Sequence, residues 1–174
     1  MQGKALKPKP LRKENTMDIT NTPTPGVQTK EDTIEELNDV TRLMIDSYKG
    51  YQAACEECDD SFALANEFQE RAQRRGEYIN EVQNYVRQLG GEPSTHGTAR
   101  GAVHRGWMNF ANIFRDDERG AIDSVEDGES FLAHRIQDCL DDGQLDDNAR
   151  EILTRAHSDV KAAERFFDML DEAA

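Results

Sequence analysis

Residues 61–93 read SFALANEFQERAQRRGEYINEVQNYVRQLGGEP, and the fold turns on this stretch. Ala65, Phe68, Ala72, Arg75, Ile79, Val82, Val86 and Leu89 recur at steps of three and four, the stripe of a helix that buries one face. The helix starts near Asp60 or Ser61, short polar residues suited to a first turn. It stops at Gly90-Gly91 with Pro93 just beyond, because glycine accepts the left-handed conformation that closes a helix and proline cannot continue it. At about 28 residues and a rise of ~1.5 Å it is ~42 Å long.

On its N-terminal side, Leu37, Val40, Met44, Ser47, Tyr51, Ala54 and Cys58 form the stripe of a first helix. Thr33 and Glu36 read as the capping box that opens it. The link through Cys58–Ser61 is so short that these two helices must be antiparallel neighbours. On the other side, Ile122, Val125, Glu129, Leu132, Ile136 and Cys139 mark a third helix from about Asp117 to Leu140. A fourth, capped near Asp147, shows Leu153, Ala156, Val160, Ala163, Phe167 and Leu170, and a short link through Gly143 again makes a hairpin. No strand alternation competes.

Residues 91–116 separate the hairpins and hold an amphipathic stretch with Val103, Trp107, Phe110, Ile113 and Phe114. A helical piece of ~25 Å plus an extended piece of ~30 Å is long enough to run back along the second helix. The reading is therefore all-α: a ferritin-like four-helix bundle, two antiparallel helical hairpins joined by a long, partly helical crossover that makes helices two and three parallel. Trp107 is expected to anchor the crossover on the bundle. A faint echo, Asp46-Ser47-Tyr48 with Asp127-Gly128-Glu129 and Arg71-Ala72 with Arg155-Ala156, fits a duplicated hairpin.

Residues 1–31 read as a disordered tail and 32–174 as the bundle domain. The tail holds Pro8, Pro10, Pro23 and Pro25 and almost no large apolar side chains, so ordering it is not offset by burial. Its first 16 residues carry a net charge of +4, and no apolar run follows them, so an export signal is not expected. Met17-Asp18-Ile19-Thr20 reads as a second start of translation. The 174-residue chain has 35 Asp and Glu against 21 Lys and Arg, a net charge of −14, so the remainder carries −18. A body that negative repels phosphate, which argues against nucleic acid and anionic membranes as partners. No apolar run is long enough for a membrane span.

A ferritin-like bundle raises the question of a carboxylate-bridged metal pair, which needs Glu-x-x-His on two helices. Three residues before His96, His104, His134 and His157 stand Pro93, Gly101, Phe131 and Thr154, so that signature is missing. Two polar residues nonetheless fall on buried stripes, Arg75 on the second helix and Glu129 on the third, level with Ser47, Tyr48 and Tyr51. One reading is an altered iron or manganese site built from Glu129, His157 and Glu164, with Glu77 or Glu81 as further donors. The other is a structural Arg75–Glu129 pair among the tyrosines Tyr48 and Tyr51, which fixes register more than it stabilises. Cys55 and Cys58 form a C-x-x-C, but at a helix C-terminus among acidic residues, where thiolate is disfavoured. With Cys139 the count is odd, which fits a reducing cytoplasm.

Several motifs together resemble a bacterial domain-of-unknown-function family of four-helix-bundle proteins in the ferritin-like superfamily. They are Gly50-Tyr51, Arg71-Ala72-Gln73-Arg74-Arg75, Leu89-Gly90-Gly91-Glu92-Pro93, Gly101-Ala102-Val103-His104-Arg105-Gly106-Trp107 and Glu126-Asp127-Gly128-Glu129, across about residues 34–172. The resemblance implies a cytoplasmic ferritin-like bundle, associated with stress or the envelope, without an established reaction. Tyr48 and Glu164 depart from positions the family commonly fills with an acid and a histidine. The expectation is a non-catalytic bundle that works by self-association, as a homo-oligomer, or through a protein partner. The alternative is a metal-binding oxidoreductase relative centred on Glu129, and a hydrophobic ligand along the crossover is a weaker third.

Overall fold

A computed structural model describes residues 29–57, 61–98, 118–142 and 145–173. Trp107, the amphipathic stretch around it, Met17 and Cys58 lie outside the described residues. Four helices form among the described residues: α1 (Lys30–Glu57), α2 (Phe62–Gln88), α3 (Glu118–Asp141) and α4 (Asp147–Ala173).

Four helix ends are set by identifiable local devices. The start of α1 differs from expectation. Thr29, not Thr33, opens the helix: its Oγ1 accepts from Asp32 N at 3.2 Å and Asp32 Oδ2 accepts from Thr29 N at 2.9 Å. Two overlapping Thr-x-x-acid signals compete there, and Glu36 is taken instead by α3, where Arg135 Nη2 meets its Oε2 at 2.7 Å. Ser61 caps α2, its Oγ accepting from Leu64 N at 3.4 Å. The α2 C-terminus ends in a Schellman turn: Gly91 N donates to Val86 O and Gly90 N to Arg87 O, both at 2.9 Å, with Gly90 at φ 78°. Asp146 caps α4 by accepting from Ala149 N at 2.9 Å, and the same carboxylate accepts from Tyr85 on α2 at 2.6 Å.

Partner pairs give the directions of the helices. Glu36 and Ser47 on α1 meet Arg135 and Glu129 on α3, so those two run antiparallel. On α2, Arg75 reaches Glu129 and Tyr85 reaches Asp146 just before α4, so α2 and α3 run parallel. That is the topology a long crossover makes. Its first residues already return along the bundle: Asn38 Nδ2 donates to Glu92 O at 3.0 Å and its Oδ1 accepts from Ser94 N at 2.7 Å. Two turns further along α1, Asp46 accepts from Thr98 N at 2.9 Å.

The core divides along the bundle axis. At one end Leu37, Val40, Met44, Val82, Val86, Leu132, Ile136 and Leu153 form an aliphatic cluster. At the other, Tyr51, Phe68 and Phe167 cluster with Ala54, Ala72 and Ala163, with the Phe68 and Phe167 rings stacked at 5.5 Å between centroids. Both clusters use the expected stripes, with Leu64 rather than Ala65 buried in the first turn of α2. Burial of this apolar area, at roughly 25 cal/mol per Å², drives the fold. Between the two clusters lies a polar layer.

Candidate functional site

The polar layer is assembled from all four helices. Arg75 on α2 and Glu129 on α3 are 1% and 2% exposed, and both sit where the three-four spacing calls for an apolar residue. Their side chains meet in a two-pronged pair, Nη2 to Oε2 at 2.6 Å and Nη1 to Oε1 at 3.2 Å. Ser47 on α1 closes a triangle: its Oγ donates to Glu129 Oε1 at 2.7 Å and accepts from Arg75 Nη1 at 2.9 Å. Asp159 on α4 adds a second carboxylate 4.0 Å from Arg75 Nη2. The Arg75 guanidinium also lies over the Tyr51 ring, 5.8 Å from its centroid.

Two groups in this layer stay unsatisfied. The Tyr51 hydroxyl and Arg75 Nε are buried without a hydrogen-bond partner. Burial, and then the nearby Glu129 carboxylate, push the Tyr51 phenol well above its ordinary range, so it stays a neutral hydroxyl. Burial works against the charge on Arg75, but Glu129 outweighs it and holds the guanidinium above its usual value. The layer is therefore a fixed ion pair with a neutral phenol beside it.

The candidate residues separate into two places. Arg75, Glu129 and Tyr51 come together, and Tyr48 lies half-buried at the edge of the layer, its ring beside Gly76. His157 and Glu164 instead lie on the α3-facing flank of α4. There Glu164 pairs with Lys161 and is near Ser130 and His134. Burial tends to raise the Glu164 carboxyl, but Lys161 more than compensates and lowers it. Burial and then Lys161 lower the His157 imidazole. Glu77 is exposed, and Glu81 pairs with Arg155 across α2 and α4. Asp159 is the member of the layer that sequence reasoning missed, because it lies one position beside the Val160 stripe.

These residues do not fit a carboxylate-bridged metal pair. Both oxygens of Glu129 are engaged by protein donors, and its counter-charge is a guanidinium. Among the described residues no three His, Cys, Asp or Glu side chains are grouped to hold a metal ion. Cys139 does not offer a second chemistry. Cys139 is buried, hydrogen-bonded to Glu36 Oε2 at 3.1 Å, and pushed up to about 12 chiefly by burial. No helix among the described residues is long and apolar enough to cross a membrane.

Comparison with known proteins agrees with this architecture. A two-domain protein of Anabaena variabilis, containing DJ-1/ThiJ/PfpI-like and ferritin-like domains, superposes with a TM-score of 0.68 at 18% identity. The match covers 85% of this chain and 38% of that one, so the chain spans well under half of its structural neighbour. At that identity the likeness shows a shared ferritin-like fold. No curated protein matches the chain. Residues 32–142 match a family described as a domain of unknown function, and on that match, over more than half its length, the chain belongs to the DUF2383 family.

Proposed function

We propose that this chain is a non-catalytic ferritin-like bundle that acts by self-association or by binding a protein partner. The observation that supports it best is the Arg75–Glu129 pair, which fills the mid-bundle position with mutually satisfied protein groups. A buried pair of this kind specifies how four helices fit together. The acidic surface favours partners that are basic or neutral over nucleic acid. Cytoplasmic residence and a stress-related role belong to the same proposal and rest on the family resemblance.

A second reading, iron or manganese bound around Glu129, draws on the burial of that carboxylate at mid-bundle. One experiment separates them. The full chain is purified from iron- and manganese-supplemented culture, and its metal content and solution mass are measured together. The expected result is less than a tenth of an equivalent of metal, with a mass above the monomer or a co-purifying protein. Stoichiometric iron or manganese that consumes oxygen would overturn the proposal.

A further inference from the structure

We infer that the Arg75 guanidinium occupies a cation site built by the other three helices, so that the protein's own side chain shuts the position. This deepens the functional reading above and rests on it. Glu129 on α3 places a carboxylate in the bundle centre, and a buried charge without a counter-charge is not tolerated. Asp159 on α4 adds a second carboxylate, and α1 supplies the Ser47 hydroxyl and the buried, unpartnered Tyr51 hydroxyl. These four side chains offer oxygen, the donor type that hard cations take. Helix α2 supplies the positive charge.

The fit between plug and pocket is imperfect, and that is the informative detail. Arg75 Nε is left without an acceptor and Tyr51 OH without a partner in the same layer. A pocket shaped around guanidinium alone would have paired them. The surroundings are instead an oxygen-lined cation site into which an arginine has been fitted. With the side chain shortened, the site becomes free to accept a small cation from solution.

Chemical rescue tests this on the full chain. Arg75→Ala is melted in low-millimolar guanidinium chloride, in manganese(II) chloride, and in sodium chloride at matched ionic strength. Guanidinium or manganese is expected to raise the variant's midpoint by about 3–5 °C at roughly ten times Kd, relative to sodium. Wild type shows no such rise, and Arg75→Ala combined with Glu129→Gln loses it. A folded Arg75→Ala that ignores both cations, or responds equally without Glu129, overturns the inference. If Arg75→Ala stays unfolded in every salt, Arg75→Gln decides by the same readout, since it keeps a hydrogen-bonding side chain yet ends short of the place the guanidinium Nη atoms occupy. Metal held by Glu129 in the wild-type chain sinks both this inference and the functional reading, whereas a cation-blind variant sinks this one alone.

Discussion

The polar layer at mid-bundle and the polar flank of α4 contain the same kinds of side chain, and they behave differently because of solvent. In the layer, Arg75 and Glu129 are stripped of water and each is the other's nearest counter-charge. On the flank, the Lys161 and Glu164 side chains are 38% and 17% exposed, so water still reaches the lysine although the paired Glu164 Oε2 is itself buried. The Coulomb attraction in the layer is larger, but so is the cost of desolvation it must offset. The buried pair is thus a constraint that cannot be half removed, while the flank pair is a small and screened contribution.

The sharpest way to break that contrast is to remove one partner at a time. Arg75→Met alone leaves Glu129 buried without its counter-charge, Glu129→Leu leaves Arg75 with only the more distant Asp159, and each is expected to cost about 3–5 kcal/mol in urea unfolding. The double variant Arg75→Met/Glu129→Leu should recover most of that loss, since an apolar pair of similar volume avoids desolvating either ion. Strictly additive losses would show that the two side chains do not act as a unit. Ser47→Ala comes next. It deletes one hydrogen bond to each member of the pair and should cost about 1–3 kcal/mol, the range for bonds to charged groups.

The periodic stripes made the four helices legible, because apolar spacing is written locally in the chain. The parallel arrangement of α2 and α3 was legible from the length of the segment between them, a purely geometric consequence. The Arg75–Glu129 pair was also visible, as two charged residues on apolar stripes at matching heights. What the sequence reading missed was the earlier Thr-x-x-acid signal, Thr29 with Asp32, at the start of α1. Glu36 is claimed by Arg135 and Cys139 on a helix about a hundred residues away, and no local rule contains that competition. Asp159, His157 and Glu164 failed to sort for a related reason. Each sits beside a stripe, and whether such a residue faces the centre or the flank depends on small rotations of α4.

On the flank the expected effects are smaller. Lys161→Ala should cost under about 1 kcal/mol, because the pair spans one turn of a single helix and is partly exposed. The loss should shrink further at 1 M salt, where screening acts over about 3 Å. The layer variants should lose as much at high salt as at low. A flank pair indifferent to salt would erase the distinction drawn between the two regions.

The smallest effect expected is a pH dependence from His157. Burial, then the positive charge of Lys161, holds its imidazole below the ordinary 6.5, while Glu164 and Asp141 only partly oppose them. The unfolded chain therefore takes up the proton first as pH falls. Wild-type stability should be level above about pH 6.5 as far as this group is concerned, decline as pH drops toward the lower folded value, and then stop declining. The carboxylates of this acidic chain titrate too, so the quantity to follow is wild type minus His157→Gln, measured by urea unfolding from pH 7.5 to 5. That difference should move against the wild type in the acid range. If the wild type instead gained on the variant, Glu164 would be governing His157, and the flank would be an ion-pair network rather than a half-buried neutral imidazole beside a lysine. No comparable slope is expected from the layer in this range, because the pH at which a neutral Tyr51 or a charged Arg75 would change lies far above it.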